Sequence, residues 1–128
     1  MEELKYSNPD LIVLAGFMRI LTPVVIEAFK NKIINIHPSL LPKYPGLDTH
    51  NSVIKNGDLK HGVTIHFVNE VLDGGQIIAQ GELSVNPNET EKQLKRRIHS
   101  IEHILLPKIV SKFADGSIDM NNIIYEVF

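Results

Sequence analysis

Residues 11–16 read Leu-Ile-Val-Leu-Ala-Gly, a continuous apolar run without alternation. Such a run is typical of a strand that is buried on both faces, as in a parallel sheet. Thr22 and Pro23 then mark the start of a helix over residues 22–30, since a hydroxyl N-cap followed by proline favours a first helical turn. A second apolar run, Ile33 to Ile36, follows. The order strand, helix, strand predicts a right-handed parallel crossover in an α/β sheet.

The middle of the chain predicts a loop, a short helix and two strands. Three prolines and a glycine make residues 38–46 a stiff, irregular loop. A helix over residues 49–56 is expected to close at Gly57. The β-rich segments 63–68 and 76–83 are interpreted as antiparallel neighbours.

A long helix is predicted near the end of the chain. Residues 90–93 read Thr-Glu-Lys-Gln, which fits a capping box. An apolar stripe with helical spacing follows, made of Leu94, Ile98, Ile101, Leu105, Ile109 and Phe113. Pro107 is expected to kink this helix and Gly116 to end it. Residues 123–128 are interpreted as a last strand.

The composition is that of an ordinary globular protein. The chain has 128 residues, enough for one domain or part of one, and a net charge of −2, which gives no reason to expect nucleic acid or a membrane as partner. Without cysteine, disulfides, thiolate metal sites and cysteine nucleophiles are excluded. No apolar run approaches the roughly 20 residues that span a bilayer, and the charged start lacks the core of a secretion signal. We therefore expect a cytoplasmic protein.

The densest polar cluster in an apolar setting contains Asn35 and His37. Their spacing of two places both side chains on one face at the carboxyl end of a strand, where open α/β sheets bind ligands. An amide can stabilise a developing oxyanion and an imidazole can move a proton, so the pair suits carbonyl chemistry. Spacing alone favours the plainer interpretation, a polar pair that finishes a strand.

Other polar features leave alternatives open. Asp73 is the best carboxylate partner for a catalytic histidine, yet an Asp before two glycines is also a common turn residue. His99 and His103 have metal-ligand spacing but lack the glutamate of a zinc-protease helix, so a solvated helix face is favoured. The basic run 95–97 is interpreted as solvent-exposed, with an anion contact as the alternative. No serine-nucleophile, phosphate-loop or dinucleotide motif is present, which disfavours serine hydrolases, kinases and ordinary dehydrogenases.

Three segments in order resemble the phosphoribosylglycinamide formyltransferase family, within the folate-dependent formyltransferases. They are Leu14-Ala15-Gly16-Phe17-Met18-Arg19-Ile20-Leu21, then Asn35-Ile36-His37-Pro38-Ser39-Leu40-Leu41-Pro42-Lys43-Tyr44-Pro45-Gly46, then Leu72-Asp73-Gly74-Gly75. The resemblance implies the C-terminal portion of a Rossmann-like fold, with a mixed, mostly parallel sheet, flanking helices and missing N-terminal strands. Residues 1–128 would then be a partial catalytic domain that lacks the phosphate-binding half.

The resemblance also implies a reaction of purine biosynthesis. The amine of glycinamide ribonucleotide attacks the formyl carbon of 10-formyltetrahydrofolate, and no metal takes part. Asn35 is expected to donate to the oxyanion, His37 to donate the proton, and Asp73 to stabilise protonated His37 and order water. A non-catalytic folate-binding fragment, or a formyltransferase for another amine, remains the alternative.

Binding residues follow from the same resemblance. The folate pocket is expected to hold Met18, Arg19, Ile20, Leu21 and Asn35, together with the loop residues Asn69, Glu70, Val71, Leu72 and Asp73. The ribonucleotide is expected to contact Pro38, Gly46, His99 and Glu102. Asp48 departs from the family pattern, because histidine often stands there. We also expect the missing half to leave a sheet edge through which the chain could self-associate.

Overall fold

The structure, a computed structural model, describes residues 11–15, 23–69 and 74–128. The strands in this part of the chain are β1 Ile12–Ala15, β2 Ile33–His37, β3 Lys60–Phe67, β4 Ile77–Ser84 and β5 Ile124–Val127. The helices are α1 Pro23–Ala28, α2 Thr49–Lys55 and α3 Glu91–Ala114. The predicted elements are confirmed, with α1 ending earlier than expected. Its predicted cap Thr22 lies outside the described residues, as does Gly16 after β1.

The five strands form one mixed sheet in the order β1-β2-β3-β4-β5. β1 is parallel to β2, with Ile12 opposite Ile33, and β4 is parallel to β5. β3 is antiparallel to both β2 and β4. The α/β class and the mixed sheet are confirmed. The described pairings divide evenly rather than being mostly parallel, because β3 runs opposite to both of its neighbours and so contributes two antiparallel pairings.

The core lies between one face of this sheet and α3. The predicted stripe of α3 is buried, apart from the half-buried Phe113, and it packs on the apolar residues of β2, β3 and β4. The capping box is present: the Thr90 side chain accepts from the Gln93 backbone, and the Gln93 side chain accepts from the Thr90 backbone. Gly116, with φ 75°, follows the helix end. The helix continues through Pro107, and a kink there stays a prediction.

Thr64 ties the proline-rich loop to the opposite face of the sheet. Its hydroxyl donates to the Ser39 carbonyl at 2.7 Å and accepts from the Leu41 amide at 3.0 Å. Gln80 adds a donor to the same hydroxyl and a second to the Leu41 carbonyl. Because Thr64 is opposite His37 in the sheet, these bonds hold the loop directly beside the end of β2.

Candidate active site

Asn35 and His37 lie at the carboxyl end of β2, as their spacing predicts. Both are buried, with 6% and 2% of their surface exposed. Their cross-strand partners on β3 are His66 and Thr64, respectively. The strand therefore supplies an amide and an imidazole on one face, in a region from which bulk water is largely excluded.

The imidazole of His37 is oriented by the loop that follows it. Its Nε2 lies 2.8 Å from the Tyr44 carbonyl oxygen, and because a carbonyl can only accept, Nε2 donates. Tyr44 has a left-handed φ of 51°, and its hydroxyl donates to Asp58 at 2.6 Å. That hydrogen bond to Asp58 raises the pKa of Tyr44. The backbone of the stiff loop thus fixes the ring that the sequence predicts to be catalytic.

The amide of Asn35 contacts a second histidine. Its Nδ2 lies 3.5 Å from Nε2 of His66, and Nδ1 of His66 donates to the Phe67 carbonyl at 2.8 Å. Within the described part of the chain, the buried Oδ1 of Asn35 has no hydrogen-bond partner. The amide is therefore anchored on its nitrogen side.

A cavity of about 420 Å³ opens beside this pair. Six of the residues predicted to act on substrates line it: Asn35, His37, Pro38, Gly46, His99 and Glu102. Its other lining residues are Ile36, Asp48, Thr49, His50, Glu91 and Lys95. Strand β2, the proline-rich loop, α2 and α3 therefore converge on one space, although they are far apart in the sequence.

The α3 wall of the cavity is polar. Glu91, Lys95, His99 and Glu102 recur at helical spacing along the side that faces β2. Burial raises the pKa of the half-buried Glu102, while His99 and His103 act in the opposite direction. Carboxylates and imidazoles in such a wall can bind the hydroxyl and amine groups of a polar small molecule.

Thr49 and His50 line this cavity although they were not predicted as site residues, and hydrogen bonds hold both in place. Thr49 donates to the Pro38 carbonyl at 2.6 Å, which fixes the start of α2 against the loop. His50 forms a buried pair with His61, whose Nε2 lies 3.0 Å from His50 Nδ1. Burial lowers the pKa of each ring to about 4, so the pair is neutral at pH 7. The position of Thr49 and His50 just after a loop is the sequence feature that could have indicated a site there. The contact with His61 could not be predicted, because it depends on tertiary structure.

Several predicted folate residues cannot be placed beside this cavity. The segments 18–21 and 70–73, including Asp73, lie outside the described residues. Asn69 is described, and it is exposed with its side chain donating to the Gly74 carbonyl at 3.3 Å. It lines a cavity between α1 and the end of β3.

Residues 11–15, 23–69 and 74–128 contain neither a cluster of metal ligands nor a membrane-spanning helix. No group of three or more histidine, cysteine, aspartate or glutamate side chains there could hold a metal ion. No helix in the same part of the chain is long and apolar enough to cross a membrane.

Known proteins are similar to this chain in sequence and in fold. A family model described as formyl transferase matches residues 1–110. Phosphoribosylglycinamide formyltransferase of Escherichia coli is 45% identical over 121 residues, covering 94% of this chain and 57% of the relative. The enzyme of the same name from Haemophilus influenzae is 44% identical, and the match covers 88% of this chain and 53% of that enzyme. The chain thus spans a little over half the length of these curated relatives.

Among solved structures, phosphoribosylglycinamide formyltransferase from Coxiella burnetii superimposes with a TM-score of 0.85 at 46% identity. The match covers 90% of this chain and 54% of the other. The resemblance drawn from the three sequence segments is therefore confirmed, as is the α/β fold with a mixed sheet and flanking helices.

Proposed function

The chain belongs to the formyl transferase family, and from that premise we propose that it transfers a formyl group from 10-formyltetrahydrofolate to the amine of glycinamide ribonucleotide. The observation that carries the proposal is the single cavity lined by Asn35, His37, His99 and Glu102. Names of the relatives support the same reaction. Residues 1–128 are proposed to form part of one catalytic domain.

The proposed reaction begins when the amine nitrogen attacks the formyl carbon. The carbonyl oxygen becomes an oxyanion, and a hydrogen of Asn35 Nδ2 binds it; such donors act most strongly in water-poor sites. His37 then gives a proton to the departing folate nitrogen, and the neutral ring takes up the proton that the attacking nitrogen loses. Asp73 is proposed to stabilise the protonated ring.

The binding roles are divided between the two sides of the cavity. Glu102 and His99 are proposed to bind the ribonucleotide, together with Pro38 and Gly46 at the loop. The folate donor is proposed to lie against Met18, Arg19, Ile20, Leu21 and Asn35, and against residues 69–73. Both co-substrates are small molecules, and the chemistry proposed for Asn35 and His37 uses no metal.

The test is direct formyl transfer by the purified chain. The chain is incubated with 10-formyltetrahydrofolate and glycinamide ribonucleotide, and the deformylated folate and formylated product are both quantified. Equal release of the two products is expected. Folate release without formylated ribonucleotide would indicate another acceptor, and folate binding without release would indicate the non-catalytic alternative.

A further inference from the structure

The imidazole of His66 is the one buried ring at the end of the sheet that contacts Asn35 in the described part of the chain. The two residues are opposite each other in the antiparallel pairing of β2 and β3. His66 is 2% exposed and Asn35 6% exposed, so neither side chain is oriented by bulk water. Their mutual orientation must therefore be set by protein hydrogen bonds.

The backbone determines which tautomer His66 adopts. Its Nδ1 lies 2.8 Å from the Phe67 carbonyl oxygen, and that oxygen can only accept. The hydrogen of a neutral ring is therefore on Nδ1, which makes Nε2 an acceptor. An acceptor at this place requires a donor opposite it, and Asn35 Nδ2 is 3.5 Å away.

This contact determines the rotation of the Asn35 amide. The two hydrogens of an amide nitrogen have fixed directions, so directing one at His66 fixes the direction of the other. The oxygen side of the amide indicates that the contact with His66 determines this orientation. Oδ1 is buried and without a hydrogen-bond partner among the described residues, an arrangement that buried amides ordinarily avoid.

We propose that His66 is a positioning residue for the formyl-transfer reaction. By accepting one hydrogen of Asn35 Nδ2, it directs the second hydrogen to the position where the oxyanion develops. This inference rests on the proposed function, since the oxyanion belongs to that reaction. His66 itself does not touch the reacting atoms.

Two substitutions test the contacts of the two ring nitrogens of His66 separately. His66→Gln places an amide oxygen near the position of Nε2, which retains an acceptor for Asn35. His66→Asn places an amide nitrogen near the position of Nδ1, which retains the bond to Phe67 but leaves Asn35 without its acceptor. His103→Asn, at an exposed position on α3, is the matched control.

The kinetic expectation is a loss in kcat without a loss in binding. His66→Asn should lower kcat about tenfold or more, because it misaligns an oxyanion donor whose complete removal costs roughly a hundredfold or more, while KM for both substrates changes less than about twofold. His66→Gln should restore most of kcat, and His103→Asn should match the unaltered chain. Equal losses in the Gln and Asn variants, or an unchanged kcat in His66→Asn, would overturn the proposal.

A spectroscopic measurement tests the same inference without turnover. Nitrogen-15 NMR of the unaltered chain at neutral pH should show the hydrogen of His66 on Nδ1 and an acceptor-type Nε2. The two Nδ2 hydrogens of Asn35 should differ in chemical shift, and His66→Asn should reduce that difference. A hydrogen on Nε2 in place of Nδ1 would refute the positioning role even if the chain proved inactive, whereas inactivity with the expected spectrum would count against the proposed function alone.

Discussion

Acid should destabilise the fold through the buried pair His50 and His61. The rings are 9% and 1% exposed, and burial lowers the pKa of each from 6.5 to about 4. Between those pH values the unfolded chain binds more protons than the folded chain. The stabilisation from neutral rings is therefore complete above pH 6.5 and is lost as the pH falls towards 4.

The size of the effect follows from the pKa shift. A change from 6.5 to about 4 in one ring corresponds to about 3 kcal/mol of unfolding free energy. Two rings that share a hydrogen bond titrate as a pair, so the combined loss is expected to fall between about 3 and 6 kcal/mol. The second proton is the more costly one, because it places two N–H donors face to face across 3.0 Å.

Urea unfolding at a series of pH values between 7 and 4 measures this loss. His61→Gln retains a hydrogen-bonding group opposite His50 but does not titrate, so its loss should be smaller than that of the unaltered chain by about 2–3 kcal/mol. His103→Gln, at an exposed position, controls for the general effect of acid on other groups. If His61→Gln and His103→Gln lost stability equally over this range, the assignment to the buried pair would be wrong.

Three further predictions concern packing, an ion pair and the cavity wall. Arg97 contacts both carboxylate oxygens of Glu89 at 2.7 and 3.0 Å, and the Glu89 side chain is only 3% exposed. Arg97→Met should therefore lower the unfolding free energy in urea by about 2 kcal/mol, against little change in Arg96→Met. Gly62→Ala would place Cβ 1.9 Å from the Gly81 carbonyl oxygen, so it should cost more than about 3 kcal/mol. In Gly116→Ala the added Cβ meets no atom within 4 Å, so only the positive φ should lower the unfolding free energy, by about 1–2 kcal/mol. Thermal unfolding of the two alanine variants should therefore show the larger loss in Gly62→Ala. Glu102→Gln should raise KM for glycinamide ribonucleotide with little change in affinity for the folate donor. Steady-state kinetics with each substrate varied in turn would contradict this role if KM rose for the folate donor and not for the ribonucleotide.

Local signals account for most of the fold. Continuous apolar runs predicted that β1 and β2 are strands. Burial on both faces is confirmed for β2, whereas it was wrong for β1, whose Val13 is 39% exposed. The Thr90 capping box predicted the start of α3, because both of its hydrogen bonds join residues three apart. The equal division of strand pairings depends instead on how connections return to the sheet, which no single segment encodes.

Only part of the candidate site could be predicted from the sequence. The spacing of Asn35 and His37 predicted a shared face, and the strand alternation explains why that prediction holds. The contact from Asn35 to His66 joins residues 31 apart, and it depends on the register of β2 against β3. The same applies to His50 and His61, which come together only when α2 packs beside β3.

The most direct test of the account is formyl transfer by His37→Ala beside the unaltered chain, with folate affinity measured in parallel by calorimetry. The account predicts that the unaltered chain formylates glycinamide ribonucleotide. It also predicts that His37→Ala loses about a hundredfold or more in kcat, while its dissociation constant for the folate donor stays within about twofold. Turnover by His37→Ala at the rate of the unaltered chain would contradict the assignment of this imidazole as the proton donor.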